Sequence, residues 1–180
     1  MIINILFIIA LTFSVAPAAT AFSVDGDNKQ IGRNLMFSLI LALGQGVMYT
    51  LGALLGGTFF HLMEKYSGVV VFALCLAIAF RMILDTLKIK KGANLYAIDS
   101  QKHVLLLSIA LSINTFIAGL MADFFPLFGR WTPYILIGAG FVWAALAAFI
   151  PFSRIKLTVN SLLNLLFAVV ILVIGVVAMV

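Results

Sequence analysis

The chain has 180 residues, 64% apolar and 9% charged, with a net charge of +5, and its mean hydropathy is +1.24. So apolar a composition excludes a water-soluble domain and a disordered one. The surplus of positive charge does not point to nucleic acid, because the basic residues are gathered in short gaps between long apolar runs.

A hydrocarbon core about 30 Å thick is crossed by about 20 helical residues. Runs of that kind fall at about 2–22, 34–60, 67–87, 104–124, 132–151 and 160–179. A membrane β-barrel would alternate apolar and polar positions along each strand, and the last run shows no such alternation. The expected fold is all-α: a polytopic membrane protein of six transmembrane helices, one integral domain over residues 1–180 with the lipid bilayer as its main partner.

In the first run, Ala19-Thr20-Ala21 has the form of a signal-peptidase site. No Lys or Arg precedes it, and a retained first helix is expected. Pro17 removes a backbone donor and frees the carbonyl near Phe13, which should bend the helix beside Ser14. The second run carries Gly44-Gln45-Gly46, then Gly52 and Gly56. Small residues let helices approach closely in lipid. Gly44, Gly52 and Gly56 therefore form a ridge expected to pack inside the monomer, a homo-oligomer face being the other use.

The third run holds Cys75, the only cysteine, which excludes a disulfide or a Cys-based metal site within one chain. Near its end Arg81 and Asp85 stand four apart and can pair. The fourth run has Ser112, Asn114 and Thr115 at mid-span and Asp123 at its outer end. The fifth has Gly138 and Gly140, expected to pack as the ridge of the second run does.

The gaps after spans one, three and five hold Lys29, Arg33, Lys88, Lys90, Lys91, Lys102, Arg154 and Lys156. The opposite side holds only Lys65 and Arg130, and Arg81 lies within a span. That bias makes the three gaps cytoplasmic and puts both termini outside. The longest gap, about 89–103, divides the chain into repeats of about 1–88 and 104–180. Each has three helices, an odd number, so the second should be inverted relative to the first. Two internal matches fit this. Gly44-Gln45-Gly46-Val47-Met48-Tyr49 precedes Gly138-Ala139-Gly140-Phe141-Val142-Trp143 by 94 positions, and Ser14-Val15-Ala16-Pro17 precedes Ser112-Ile113-Asn114-Thr115 by 98.

Polar groups within a membrane are costly and tend to mark function. Ser14, Gln45, Ser112, Asn114 and Thr115 are the pathway candidates, with Arg81, Asp85 and Asp123 accessory. The amide oxygens of Asn114 and Gln45 are the candidate ligands for a hard cation. His61 and His103 lie at membrane edges, too far apart in the topology to share a metal. No P-loop, His-Glu-x-x-His, nucleophile elbow or intramembrane carboxylate pair is present. Neither an enzyme nor a tightly bound cofactor is expected.

Gln45-Gly46-Val47-Met48-Tyr49-Thr50-Leu51-Gly52-Ala53-Leu54-Leu55-Gly56, followed by Arg81-Met82-Ile83 and Asp85, resembles the MntP-type manganese efflux pumps of the LysE transporter superfamily. The resemblance spans nearly the whole length. Tyr49 stands where that family usually has Pro. The family's hallmark Ser-x-Asp-Ala in the first and fourth spans corresponds to Ser14-Val15-Ala16-Pro17 and Ser112-Ile113-Asn114-Thr115, so both serines are kept and both acids are absent. The resemblance implies a secondary transporter of a bacterial cytoplasmic membrane, exporting Mn²⁺ or another small cation as substrate. The missing carboxylates leave two alternatives: export of a different small solute, as in other LysE-type proteins, or a degenerate non-transporting scaffold whose polar side chains merely bond one another.

Overall fold

The computed structural model describes residues 1–19, 29–90, 101–125, 127–149 and 154–179. No strand occurs among the described residues. In chain order the helices are α1 (Ile2–Ala19), α2 (Lys29–Met63), α3 (Ser67–Lys90), α4 (Gln101–Leu111, continuing as Ile113–Leu120), α5 (Thr132–Phe149) and α6 (Arg154–Met179). Lipid offers the backbone no hydrogen-bond partner, so helices that satisfy their own amides suit these runs.

Five stretches are long and apolar enough to cross a membrane: Ile2–Ala19, Ile31–His61, Glu64–Leu87, Lys102–Leu120 and Thr158–Ala178. The sixth helix, α5, has 18 residues, and residues 150–151 of the span expected there lie outside the described ones. So do residues 91–100 of the long gap, Thr20 and Ala21 of the candidate cleavage site, and the side chains of Lys29, Lys88, Lys90, Arg154 and Lys156. The fourth helix ends at Leu120 rather than near 124. There Ala122 N–H donates to the Gly119 carbonyl at 2.9 Å and Phe124 N–H to that of Met121 at 3.1 Å, so Asp123 sits in a turn.

Two helices are interrupted. In α1 a 3₁₀ turn covers Phe13–Val15. Pro17 has no N–H for the Phe13 carbonyl, which accepts instead from the N–H of Ala16. Thr12 Oγ1 donates to the Ile8 carbonyl at 2.8 Å and Ser14 Oγ to that of Leu11 at 3.2 Å. In α4 the interruption is the single residue Ser112 (φ −82°, ψ 3°), and Thr115 Oγ1 donates back to its carbonyl at 2.7 Å. Hydroxyl back-bonds of this kind bend helices.

α3 packs along α6, α2 runs along α4 and α5, and α1 lies against α5 and α6. α1 is the most enclosed: 61% of its span is buried, against 28% for the span containing α3. The α3–α6 seam carries a polar tie, Asn164 Nδ2 donating to the Met82 carbonyl at 2.8 Å and to Thr86 Oγ1 at 2.9 Å. The outer surface exposes Leu54, Phe80, Leu106 and Leu162, an apolar exterior suited to lipid. Trp131 and Tyr134, also exposed, stand at the start of α5, where amphipathic rings favour a headgroup layer.

Candidate transport site

Glycines set how closely α2 meets α4. A methyl group on Gly119 would lie 2.9 Å from Ala53 N and 3.0 Å from Gly52 Cα, and one on Gly56 would lie 3.0 Å from Leu120 Cα. The ridge of Gly44, Gly52 and Gly56 therefore packs within the chain, against α4. Gly140 also packs, a methyl there lying 3.4 Å from Gln45 Cγ. Gly138 does not do the same work. It is exposed and a methyl on it would meet nothing within 4 Å, because two residues along a helix turn it to the opposite side from Gly140.

The close α2–α4 contact brings the interruption of α4 against Gly44. A methyl on Gly44 would lie 3.1 Å from Ser112 Oγ and clash with Ser108 Oγ, and that hydroxyl donates to the Ile40 carbonyl at 3.0 Å. Gln45, next along α2, faces Gly140 of α5. The structure thus gathers Gln45 and Ser112 where α2, α4 and α5 meet, with Asn114 half a turn further along α4.

Gln45 and Ser112 are 0% exposed and Asn114 1%. Even so, Gln45 Oε1 and Nε2, Ser112 Oγ and Asn114 Oδ1 have no hydrogen-bond partner among the described residues. A buried polar atom left unpaired costs about 1–3 kcal/mol, and α2 and α4 both carry that cost. The other two pathway candidates differ. Thr115 is buried but bonded to its own helix, and Ser14 is half-buried with its hydroxyl spent on the Leu11 carbonyl.

Among the accessory residues, Arg81 Nε lies 4.0 Å from Asp85 Oδ2. The expected pair is present, but Arg81 also donates from Nη2 to the Ala110 carbonyl, two residues before the interruption of α4. It braces that helix rather than only reaching for water. Asp123 is exposed, beside Gly57, where a methyl would lie 3.2 Å from its Oδ2. His61 and His103 are exposed. Among the described residues no three His, Cys, Asp or Glu come together as a metal set, so the oxygens available at the junction are amide and hydroxyl oxygens.

Among the further buried polar residues absent from the candidates read in the sequence are Asn34 and Ser38, whose Oδ1 and Oγ have no partner among the described residues, and Ser108. The first two carried a signal, the spacing of four and then seven residues that aligns Asn34, Ser38 and Gln45 on one helix face.

A bundle of long apolar helices with unpaired polar groups at an internal helix break has the form of a multi-pass membrane transporter. Residues 28–179 match the family described as "Putative manganese efflux pump". The match covers most of the chain, and the chain belongs to this family, one of membrane efflux transporters rather than of enzymes. Because it begins at residue 28, α1 with Ser14, Ala16 and Pro17 lies outside it. No curated protein matches the chain, and no solved structure does.

Proposed function

We propose that this protein exports Mn²⁺ or another small divalent cation across a bacterial cytoplasmic membrane, through a site at the meeting of α2, α4 and α5 formed by Gln45, Ser112 and Asn114. The observation that carries the reading is the set of unpaired buried oxygens on these residues, in a chain of this family. Hard cations take oxygen ligands, and a cation that keeps part of its water would satisfy all three side chains in passing. A degenerate scaffold would have had these groups bond one another, and among the described residues these atoms have no partner.

The reading includes an inverted-repeat architecture, with repeats of about 1–88 and 104–180 in one domain. Three features support it. The corresponding helices pack along one another, α2 with α5 and α3 with α6. The helices that open the repeats, α1 and α4, are both interrupted, at Phe13–Val15 and at Ser112. Those breaks coincide with the matched segments Ser14–Pro17 and Ser112–Thr115. The eight basic residues of the first, third and fifth gaps orient the protein with both termini outside.

One observation favours a second reading. Ala16 and Asn114 stand where the resemblance implies carboxylates, so the site offers no anion to offset the dehydration of a divalent ion. Export of a neutral or amphipathic small solute suits amides and hydroxyls equally well.

Mn²⁺ flux in proteoliposomes separates them. Under the first reading wild type moves Mn²⁺ and Asn114→Ala lowers the flux by about ten-fold or more, the equivalent of one lost contact of about 1.4 kcal/mol. If only Asn114→Asp or the double variant Ala16→Asp/Asn114→Asp moves Mn²⁺, the present substrate is another solute. If none of the folded, inserted variants does, the manganese reading fails.

A further inference from the structure

The unpaired groups do not stop at the junction. Asn34 is 9% exposed and Ser38 and Gln45 are 0% exposed, and each carries a side-chain atom with no partner among the described residues. At 100° per residue Ser38 lies about 40° and Gln45 about 20° around α2 from Asn34, and the three span about 16 Å of helix. The stripe begins one residue after Arg33, at the N-terminal end of α2, and ends at the proposed site.

Its surroundings in that half of the bundle mix small and large side chains. Phe37 and Leu41, which flank the stripe on α2, cluster with Ala16, Ala18, Ala19, Ala144 and Ala147 and with Phe13, Val104 and Leu107. The other half is different. There Phe7, Leu11, Tyr49, Met121, Leu127 and Leu136 belong to a second apolar cluster.

We infer that Asn34, Ser38 and Gln45 line a water-filled approach for a small hydrated cation or polar solute, open at the membrane face that holds Arg33 and closed beyond Gln45 by the apolar cluster. The inference rests on the transporter reading and assigns Asn34 and Ser38 as pathway residues. Water along the stripe satisfies each of its unpaired atoms, whereas a dry packing leaves all of them at full desolvation cost. The apolar cluster beyond Gln45 makes the closed end.

Thiol labelling tests this without reference to any substrate. In a Cys75→Ala background, Ser38→Cys and Asn34→Cys are each compared with Leu136→Cys, a site buried in the apolar cluster. The probe is the membrane-impermeant cation 2-(trimethylammonium)ethyl methanethiosulfonate, applied to sealed vesicles of either orientation. Only a hydrated thiol ionises readily, so the α2 cysteines should react about ten-fold faster or more than Leu136→Cys. They should do so only from the face bearing Arg33. Ser→Cys changes one atom, and Asn34→Cys provides a second reporter should either variant misfold. Equal rates for the three sites, or equal labelling from both faces, overturns the inference. Labelling as expected in a protein that moves no Mn²⁺ upholds the approach while the manganese reading falls. Mn²⁺ flux with inert α2 cysteines does the reverse.

Discussion

Gly119→Ala should force α2 and α4 apart. The added methyl would lie 2.9 Å from Ala53 N and 3.0 Å from Gly52 Cα, and would press on the Tyr49 carbonyl, where ordinary contact begins at 3.4 Å. All three obstacles are backbone, so no side chain can rotate aside and the helices must separate locally by about half an ångström or more. A gap of that size forfeits about a quarter of the dispersion energy of each contact it opens. Overpacking of this kind costs about 1–3 kcal/mol. Gly138→Ala is the matched control in another helix, since nothing lies within 4 Å of the added methyl, and there alanine gains about 0.5–1 kcal/mol over glycine. That gain is common to both helical positions, so the two variants should differ by the overpacking cost of about 1–3 kcal/mol, or roughly 2–12 °C in midpoint for a chain of this size. Thermal unfolding in detergent, followed by tryptophan fluorescence, reads this directly. Equal midpoints for Gly119→Ala and Gly138→Ala would refute the close α2–α4 contact, and with it the placement of Ser112 beside Gly44.

Gly44→Ala should be milder, because it displaces the Ser108 hydroxyl from the Ile40 carbonyl at a cost of about 1 kcal/mol. Combined with Ser108→Ala it should cost less than the two single changes added together, and strict additivity in the unfolding midpoints would count against the contact. Asn164→Leu removes both hydrogen bonds across the α3–α6 seam and should destabilise by about 1–3 kcal/mol. It should leave vesicle flux unchanged, since that seam is separate from the α2–α4–α5 junction; a loss of flux without a loss of stability would extend the site to α6.

The six helices were legible because each run is apolar over the length a bilayer demands, and observed ends differ from expected ones by a few residues. Where a local cause exists, the sequence also showed internal detail. Pro17 foretold the break in α1, since a missing N–H at one position frees a named carbonyl. The break at Ser112 has no proline, and its local signal is only the hydroxyl of Thr115 reaching back. Asn164 escaped notice because one amide scarcely alters the character of so apolar a run, and its partners Met82 and Thr86 are some eighty residues away. Arg81 shows the same limit: its pairing with Asp85 lies within one helix and was readable, whereas its bond to Ala110 depends on how α3 meets α4.

The pathway residues divide along the same line. Gln45, Ser112 and Asn114 were found by asking which polar groups stand at mid-span, and each is buried with a side-chain atom that has no partner among the described residues. Asn34 and Ser38 were passed over because a polar residue within two turns of a helix end is ordinarily solvated. Their burial comes from α4 and α5 packing along α2, an outcome of tertiary packing and not of position along the run. The close contact at Gly44, Gly52 and Gly119 matters for this reason. It fixes α4 against α2 so that Gln45 and Ser112 are withdrawn from lipid with no partner among the described residues, and each such group costs about 1–3 kcal/mol unless water or a polar solute reaches it. A bundle selected for rigidity alone would have filled positions 38, 45 and 114 with alanine or leucine, as it did at Leu41, Ala42 and Ala118 beside them.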